Sequence, residues 1–202
     1  MKTVMKNLPK MKRCTGKNEY EAVVIGCSAG GIEALSEILP SLSGDMSCPV
    51  LIVQHISPET DGFLAHFLDE SCQVTVKEAE DGEDIKSGFV YVAPANYHLL
   101  VEKNRNLSLS VDSHVNYSRP SIDVLFETAS WVYQEHLIGI LLTGASADGS
   151  QGLKSVQEQG GMTVVQDPST AMVPFMPQSA LDLIQVDHLL SLEKISTLLS
   201  NL

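Results

Sequence analysis

The chain has 202 residues, of which 44% are hydrophobic and 19% are charged, and its formal net charge is −12. This composition is typical of one globular domain rather than a disordered chain, and no apolar run is long enough to cross a membrane. Residues 1–18 contain six of the 13 basic residues and no acidic one, so 7 basic residues stand against 25 acidic ones in the rest. So acidic a body repels phosphate backbones, which disfavours nucleic-acid binding.

The distribution of charge divides the chain into two parts. Residues 1–19 are expected to form a basic, disordered tail, and residues 20–202 are expected to form the domain. The tail lacks the apolar segment of a secretory signal, and the four cysteines form no CxxC pair and no zinc spacing with a histidine. Reduced cysteines indicate a cytoplasmic protein, and no metal site is expected.

The first strong pattern is a β-branched run that ends at a glycine-flanked serine, Ser28, with helical periodicity immediately after it. Gly26, Gly30 and Gly31 permit a sharp turn, and the N–H groups of the following helix would receive an anion or an oxyanion. The stretch fits both the nucleophile elbow of serine hydrolases and a degraded dinucleotide fingerprint. The fingerprint requires an acid at the end of the next strand, where His55 stands instead, so the serine is favoured. A tight turn without chemistry is the third interpretation.

The rest of the chain alternates between strand and helix patterns. Residues 50–54 form an apolar strand, and a helix with Phe63, Leu64, Phe67 and Leu68 on one face follows it. Further elements are strands at 74–76, 89–92, 137–142 and 162–166, a β-hairpin at 97–101 and 107–111, and helices from Pro120, before Gly160-Gly161, near 177–184 and near 191–200. The alternation predicts an α/β fold: a doubly wound, mainly parallel sheet with helices on both faces and an inserted antiparallel β-hairpin.

Four side chains with acid-base or nucleophilic chemistry follow predicted strands: Ser28, His55, Asp148 and Asp167. Because the carboxyl ends of parallel strands meet at one sheet edge, these side chains could converge there. A serine nucleophile needs a base, and the base needs a carboxylate that fixes its tautomer. Spacing does not choose between the two aspartates, since one could be a helix N-cap and the other a turn residue. Cys27 is a rival nucleophile, but it alternates away from Ser28 and is expected to be buried.

Six short motifs stand in colinear order from about residue 20 to the C-terminus: GCSAGG at 26–31, QH at 54–55, APANYHL at 93–99, RPSID at 119–123, LTG and DG at 142–144 and 148–149, and QDP through MP at 166–177. With them the sequence resembles the catalytic domain of chemotaxis protein-glutamate methylesterases of the CheB type. The resemblance implies a cofactor-independent hydrolysis of γ-glutamyl methyl esters on the cytoplasmic helices of chemoreceptors, often with deamidation of receptor glutamines. By motif position it assigns Ser28 as nucleophile, His55 as base and Asp148 as the orienting acid.

The residues expected to bind the oxyanion or the substrate are Ala29, Gly30 and Gly31 at the helix start and Thr143, Gly144 and Ala145 in the loop after the 137–142 strand. This loop departs from the family, whose Thr-Gly-Met-Gly motif is replaced here by Thr143-Gly144-Ala145-Ser146. Typical members also carry an N-terminal receiver domain, for which residues 1–19 are too short. Control of activity, where there is any, is therefore expected to come from a trans-acting regulator or from substrate access.

The sequence as a whole predicts a serine carboxyl-ester hydrolase. A rival from another class is a degenerate module that binds receptors or other signalling partners without turnover, which the altered loop at Ala145-Ser146 permits. A weaker rival is a nucleotide- or phosphate-binding protein that uses the glycine turn. The expected partners are methylated chemoreceptor helices, with no nucleic acid and no membrane insertion.

Overall fold

The structure is a computed structural model that describes residues 20–57 and 62–202. The predicted basic tail at residues 1–19 lies outside the described residues. The strands are β1 (Ala22–Cys27), β2 (Val50–Gln54), β3 (Thr75–Glu78), β4 (Phe89–Val92), β5 (His98–Val101), β6 (Leu107–Ser110), β7 (Leu137–Leu141), β8 (Met162–Gln166) and β9 (His188–Leu190). The α-helices are α1 (Gly31–Ile38), α2 (Phe63–Asp69), α3 (Ile122–Tyr133), α4 (Ser150–Glu158), α5 (Phe175–Leu183) and α6 (Leu192–Leu199).

One parallel sheet carries the fold, with the strand order β3-β4-β2-β1-β7-β8-β9. Strands β5 and β6 pair antiparallel as a separate hairpin. These observations confirm the predicted α/β class, the mainly parallel sheet and the inserted hairpin. From the central β1 the chain first extends the sheet through β2 and later returns to add β7 on the other side of β1. Such a reversal of strand order opens a crevice at the carboxyl ends of the strands.

Helices pack on both faces of the sheet, and each face has its own apolar core. One face is covered by α1, α2 and α6, whose buried residues include Leu35, Leu68 and Ile195. The other face is covered by α3, α4 and α5, with Phe126 and Leu153 among their buried residues. Because both faces are covered, every residue of β1, β2 and β7 is buried, which explains why these strands are apolar or small almost throughout.

Three local features differ from the sequence predictions. In α2 only Leu64 and Leu68 of the predicted apolar face are buried, while Phe63 and Phe67 are exposed and stack on each other at 5.9 Å. The two pairs lie on adjacent stripes of a seven-residue helix, and a helix this short buries only one stripe. Helix α3 begins at Ile122 rather than at the predicted Pro120. The edge strand β9 was not predicted.

Among residues 20–57 and 62–202, no helix is long and apolar enough to span a bilayer.

Candidate active site

The turn after β1 holds Ser28 at the carboxyl edge of the sheet. The Ser28 amide donates to the carbonyl oxygen of Thr143 at 3.0 Å, and α1 begins only three residues later. Gly30 has φ +78°, in the left-handed region, and a Cβ on Gly31 would lie 2.0 Å from Oε1 of Gln54. Side chains at these two positions would therefore distort the turn, and the glycines let the serine sit half-buried at its tip.

His55 follows β2, the neighbour of β1. The register pairs Cys27 with Gln54, so Ser28 and His55 are the next residues on two adjacent parallel strands. The His55 amide donates to the Cys27 carbonyl at 3.0 Å. The Gln54 side chain then joins both turns, because its Nε2 donates to the Ser28 carbonyl at 3.0 Å and to the His55 carbonyl at 2.8 Å.

Asp148 reaches the same edge from the loop between β7 and α4. Its side chain is fully buried, and its Oδ2 lies 2.8 Å from Nε2 of His55, whose side chain is 14% exposed. The helix α3 holds this carboxylate at its N-terminus: the Ile122 amide donates to Oδ2 at 2.7 Å and the Asp123 amide to Oδ1 at 3.3 Å. A helix N-terminus stabilises a negative charge, so the carboxylate is fixed where α3 starts.

Two more side chains donate to Oδ1 of Asp148, the Ser121 hydroxyl at 2.8 Å and the Asn116 amide at 2.9 Å. Burial alone would raise the pKa of Asp148. The hydrogen bonds from His55, Asn116, Ile122 and Ser121 outweigh burial and lower the pKa below its ordinary value. Asp148 is therefore ionised at neutral pH, as a carboxylate that orients an imidazole must be.

The contact to Asp148 fixes which nitrogen of His55 carries the proton in the neutral ring. An ionised carboxylate only accepts hydrogen bonds, so His55 must carry its proton on Nε2. Nδ1 is then the nitrogen with the lone pair, and Ser28 lies at the end of the adjacent strand. This assignment reverses the usual serine-protease arrangement, in which the aspartate contacts Nδ1 and Nε2 faces the serine.

The amides at the six predicted oxyanion or substrate-binding positions fall into two groups. Those of Gly31, Thr143 and Gly144 are occupied, by the Ser28 carbonyl at 2.8 Å, by Oε1 of Gln166 at 2.9 Å and by the Val173 carbonyl at 3.1 Å. Within the described part of the chain, the amides of Ala29, Gly30 and Ala145 have no hydrogen-bond acceptor. An oxyanion needs unoccupied donors, which leaves the amides of Ala29, Gly30 and Ala145 as the candidate donors among the six predicted positions.

The structure separates the rival side chains from this constellation. Asp167 caps a one-turn 3-10 helix, accepting hydrogen bonds from the Ser169 hydroxyl at 2.7 Å and the Ser169 amide at 2.9 Å, and these bonds lower its pKa. Cys27 is fully buried, and burial raises the pKa of its thiol far above the usual value. A buried thiol of this kind is not a nucleophile. Across residues 20–57 and 62–202, no group of His, Cys, Asp or Glu side chains could hold a metal ion.

Several residues of the site have no counterpart among the predicted functional residues. Asn116 and Ser121 contact Asp148 from the segment before α3, and Asp123 accepts from the amides of Gly149 at 2.9 Å and Gly152 at 2.7 Å. Burial raises the pKa of Asp123, and repulsion from Asp148 raises it further. The hydrogen bonds that Asp123 accepts lower the pKa but do not outweigh these two effects. Ser121 and Asp123 lie in the RPSID motif, which is the only sequence signal that marks this segment.

Comparison with known proteins agrees with this architecture. The CheB methylesterase family model matches residues 23–199. A relative from Leptospira interrogans is 57% identical over 179 residues, which cover 89% of this chain and 93% of the relative. A protein-glutamate methylesterase/protein-glutamine glutaminase of Symbiobacterium thermophilum is 38% identical, with 89% of this chain covered but 50% of that protein.

Among solved structures, the CheB methylesterase catalytic domain of Thermotoga maritima superposes with a TM-score of 0.87 at 36% identity. The match covers 90% of this chain and 98% of that domain. This chain therefore corresponds to the catalytic domain and spans about half the length of the Symbiobacterium thermophilum protein.

Proposed function

The chain belongs to the CheB methylesterase family, and we propose that it hydrolyses glutamyl methyl esters with Ser28 as nucleophile, His55 as base and Asp148 as the orienting acid. The observation that carries the proposal is the 2.8 Å contact between Nε2 of His55 and the buried Asp148 carboxylate, next to a serine at the adjacent strand end. A degenerate binding module has no need of a histidine held in one tautomer. The relatives are named as methylesterases, which also favours an enzyme over a binding module.

The proposed reaction has two halves. Nδ1 of His55 takes the Ser28 hydroxyl proton as the oxygen attacks the ester carbonyl, and the same nitrogen then gives the proton to methoxide, which leaves as methanol. Water enters, loses a proton to Nδ1 and attacks the acyl-serine, which releases the glutamate carboxylate and restores the hydroxyl. Each half passes through an oxyanion, for which the unoccupied amides of Ala29, Gly30 and Ala145 are the proposed donors.

The substrate we propose is the cytoplasmic helical part of a methylated chemoreceptor, because the relatives are named for glutamate methylesterase activity. Those relatives are also named for glutaminase activity, and the same acyl-enzyme path deamidates a glutamine when ammonia leaves in place of methanol. Because the receptor helices of this proposal lie in the cytoplasm, we propose a cytoplasmic location for the protein.

The test measures methanol. Purified protein is incubated with receptor fragments that carry isotopically labelled methyl esters, and volatile label is counted over time. In parallel, a fluorophosphonate probe is added and the labelled peptide is mapped by mass spectrometry, with a Ser36→Ala variant as a control for a serine on α1 outside the site. We expect methanol release and labelling of Ser28. Receptor binding with neither result would contradict the enzyme and support the binding module.

A further inference from the structure

The amide nitrogen of Asn116 lies between two buried carboxylates. Nδ2 donates to Oδ2 of Asp123 at 2.7 Å and to Oδ1 of Asp148 at 2.9 Å. Asp148 is fully buried and Asp123 is 8% exposed. An amide nitrogen has two hydrogens, and here each of them serves a different carboxylate.

The backbone that presents Asn116 is unusual. Asn116 and Tyr117 have φ values of 50° and 64°, and the residues on either side of them, Val115 and Ser118, exchange backbone hydrogen bonds of 3.1 and 2.9 Å. Two consecutive non-glycine residues in the left-handed region form a tight turn that is costly for tyrosine. The Tyr117 side chain is fully exposed, so its contacts do not offset that cost. Strain held in this way points to a role for the group that the turn presents.

Asp123 has structural partners of its own. Its Oδ1 accepts from the amides of Gly149 and Gly152 at the start of α4, so this carboxylate ties α3 to α4 directly after Asp148. Asp123 and Asp148 repel each other, and Asn116 is the only side chain in the described residues that donates to both. The neutral amide separates the two charges and gives each carboxylate a donor.

We propose that Asn116 is a positioning residue for hydrolysis. Its amide orients the Asp148 carboxylate so that Oδ2 accepts the hydrogen bond from Nε2–H of His55. The same nitrogen keeps Asp123 away from that contact. The inference rests on the proposed function, in which His55 is the base. Without the amide, Oδ1 of Asp148 keeps the Ser121 hydroxyl and the Asp123 amide as donors, and Oδ2 keeps the Ile122 amide. Oδ1 loses the one donor that it shares with Asp123, so the repulsion between the two carboxylates acts on the Asp148 side chain and displaces Oδ2 from its contact with His55.

The first variant, Asn116→Asp, keeps the shape of the side chain and replaces the donor by an acceptor. We expect kcat for a small uncharged methyl ester to fall about 10–100-fold, the range that loss of a supporting hydrogen bond costs at metal-binding histidines, with KM changed less than about twofold. We also expect the midpoint of the pH–rate profile to move up by about one pH unit, because an added negative charge near His55 favours the imidazolium.

The matched control is Asn104→Asp, which adds the same charge in the exposed β5–β6 turn. The next residue, Arg105, lies over the ring of Tyr133 at the far end of α3 from Asp123, about 15 Å along the helix. We expect this control to leave kcat and the profile midpoint unchanged.

A second variant separates positioning from a structural role. In Asn116→Asp combined with Asp123→Asn, donor and acceptor are exchanged, so the 116–123 hydrogen bond and the net charge are restored. Oδ1 of Asp148 still faces an acceptor. We expect the unfolding midpoint in urea to recover and kcat to stay low. Recovery of both would overturn the proposal and leave Asn116 a purely structural residue. If Asn116→Asp does not fold, Asn116→Ala replaces it, with an expected kcat loss of about tenfold.

The readout that does not depend on turnover is the proton NMR signal of Nε2–H of His55. We expect a low-field resonance in the wild type that shifts or broadens in Asn116→Asp and stays unchanged in Asn104→Asp. A wild type without ester turnover would contradict the proposed function, whereas the NMR comparison would still decide the position of the carboxylate. An unchanged resonance and an unchanged pH profile in Asn116→Asp would overturn the proposal.

Discussion

The backbone amide of Ile122 donates to Oδ2 of Asp148 at 2.7 Å, the same oxygen that lies 2.8 Å from Nε2 of His55. One carboxylate oxygen is thus shared between a helix N-terminus and the imidazole. Because the amide of Ile122 belongs to the first residue of α3, the carboxylate cannot turn without breaking a bond to the helix. The orientation of the histidine is thereby tied to the packing of α3 against the sheet.

Replacement of the proposed nucleophile tests the site most directly. Ser28→Ala should reduce ester hydrolysis at least about 10⁴-fold, since a serine nucleophile and its base act as one unit. The free energy of unfolding should change by less than about 0.5 kcal/mol, because a hydroxyl at a half-buried turn supports no core contact. Initial rates and urea unfolding are measured beside Ser36→Ala, which should match the wild type in both. Near-normal activity in Ser28→Ala would refute the assignment.

The choice between the two aspartates is tested by paired amide substitutions. Asp148→Asn introduces an amide donor at a position where every neighbour donates a hydrogen bond. We therefore expect the proton of neutral His55 to move from Nε2 to Nδ1. Turnover should then fall about 10⁴-fold, as in serine proteases with the equivalent change. Asp167→Asn should have little effect on turnover, because Asp167 caps a short turn at the surface. Steady-state kinetics of the two variants decide the question, and a larger loss in Asp167→Asn would reverse the assignment.

The close contact at the serine turn predicts a further defect. A Cβ on Gly31 would lie 2.0 Å from Oε1 of Gln54, whose side chain holds the carbonyls of Ser28 and His55. Gly31→Ala should therefore destabilise the fold by about 1–3 kcal/mol and also lower turnover. Gly82→Ala is the control, since φ at Gly82 is +78° and nothing lies within 4 Å of the added Cβ. It should lose about 1–2 kcal/mol from the backbone alone and keep its activity.

The lowered pKa of Asp148 predicts how stability depends on pH. A carboxyl whose pKa is lower in the folded state stabilises the fold above its unfolded value of about 3.9, and loses that contribution as pH falls toward the folded value. The difference in unfolding free energy between wild type and Asp148→Asn should thus be constant at neutral pH and shrink below about pH 3.9. Urea titrations at a series of pH values measure it. A difference that shrinks above pH 5 would show that Asp148 is protonated too easily for its proposed role.

Much of the fold follows from the order of apolar runs along the sequence. The buried strands β1, β2 and β7 are continuous apolar stretches with helical patterns after them, and this alternation specifies a parallel sheet. The edge strand β9 has three residues, of which one is exposed, so no pattern distinguishes it from a loop. The stripe on α2 was ambiguous because Phe63 and Phe67 have the same spacing as the buried pair.

The closeness of Ser28 and His55 could also be predicted, since both follow strands and adjacent parallel strands bring their carboxyl ends together. Asp148 could not be chosen over Asp167 from spacing, because it stands in a loop whose path depends on contacts with α3. The contact of Asn116 with Asp148 could not be predicted from the sequence for the same reason. Its contacts join parts of the chain 7 and 32 residues away, and nothing in the Val115–Ser118 stretch shows a period or a motif.

The reversed histidine has a consequence for covalent inhibitors. A haloketone analogue of the ester that enters the site would meet Nδ1, because Nε2 is engaged by Asp148. The adduct would be an Nδ1-alkylated histidine, whereas the usual protease arrangement gives the Nε2 isomer. The two isomers differ in their NMR couplings after digestion. A reagent shaped for the Nδ1 side of an imidazole would thus discriminate the proposed site from serine proteases, in which the Nε2 side of the imidazole faces the serine.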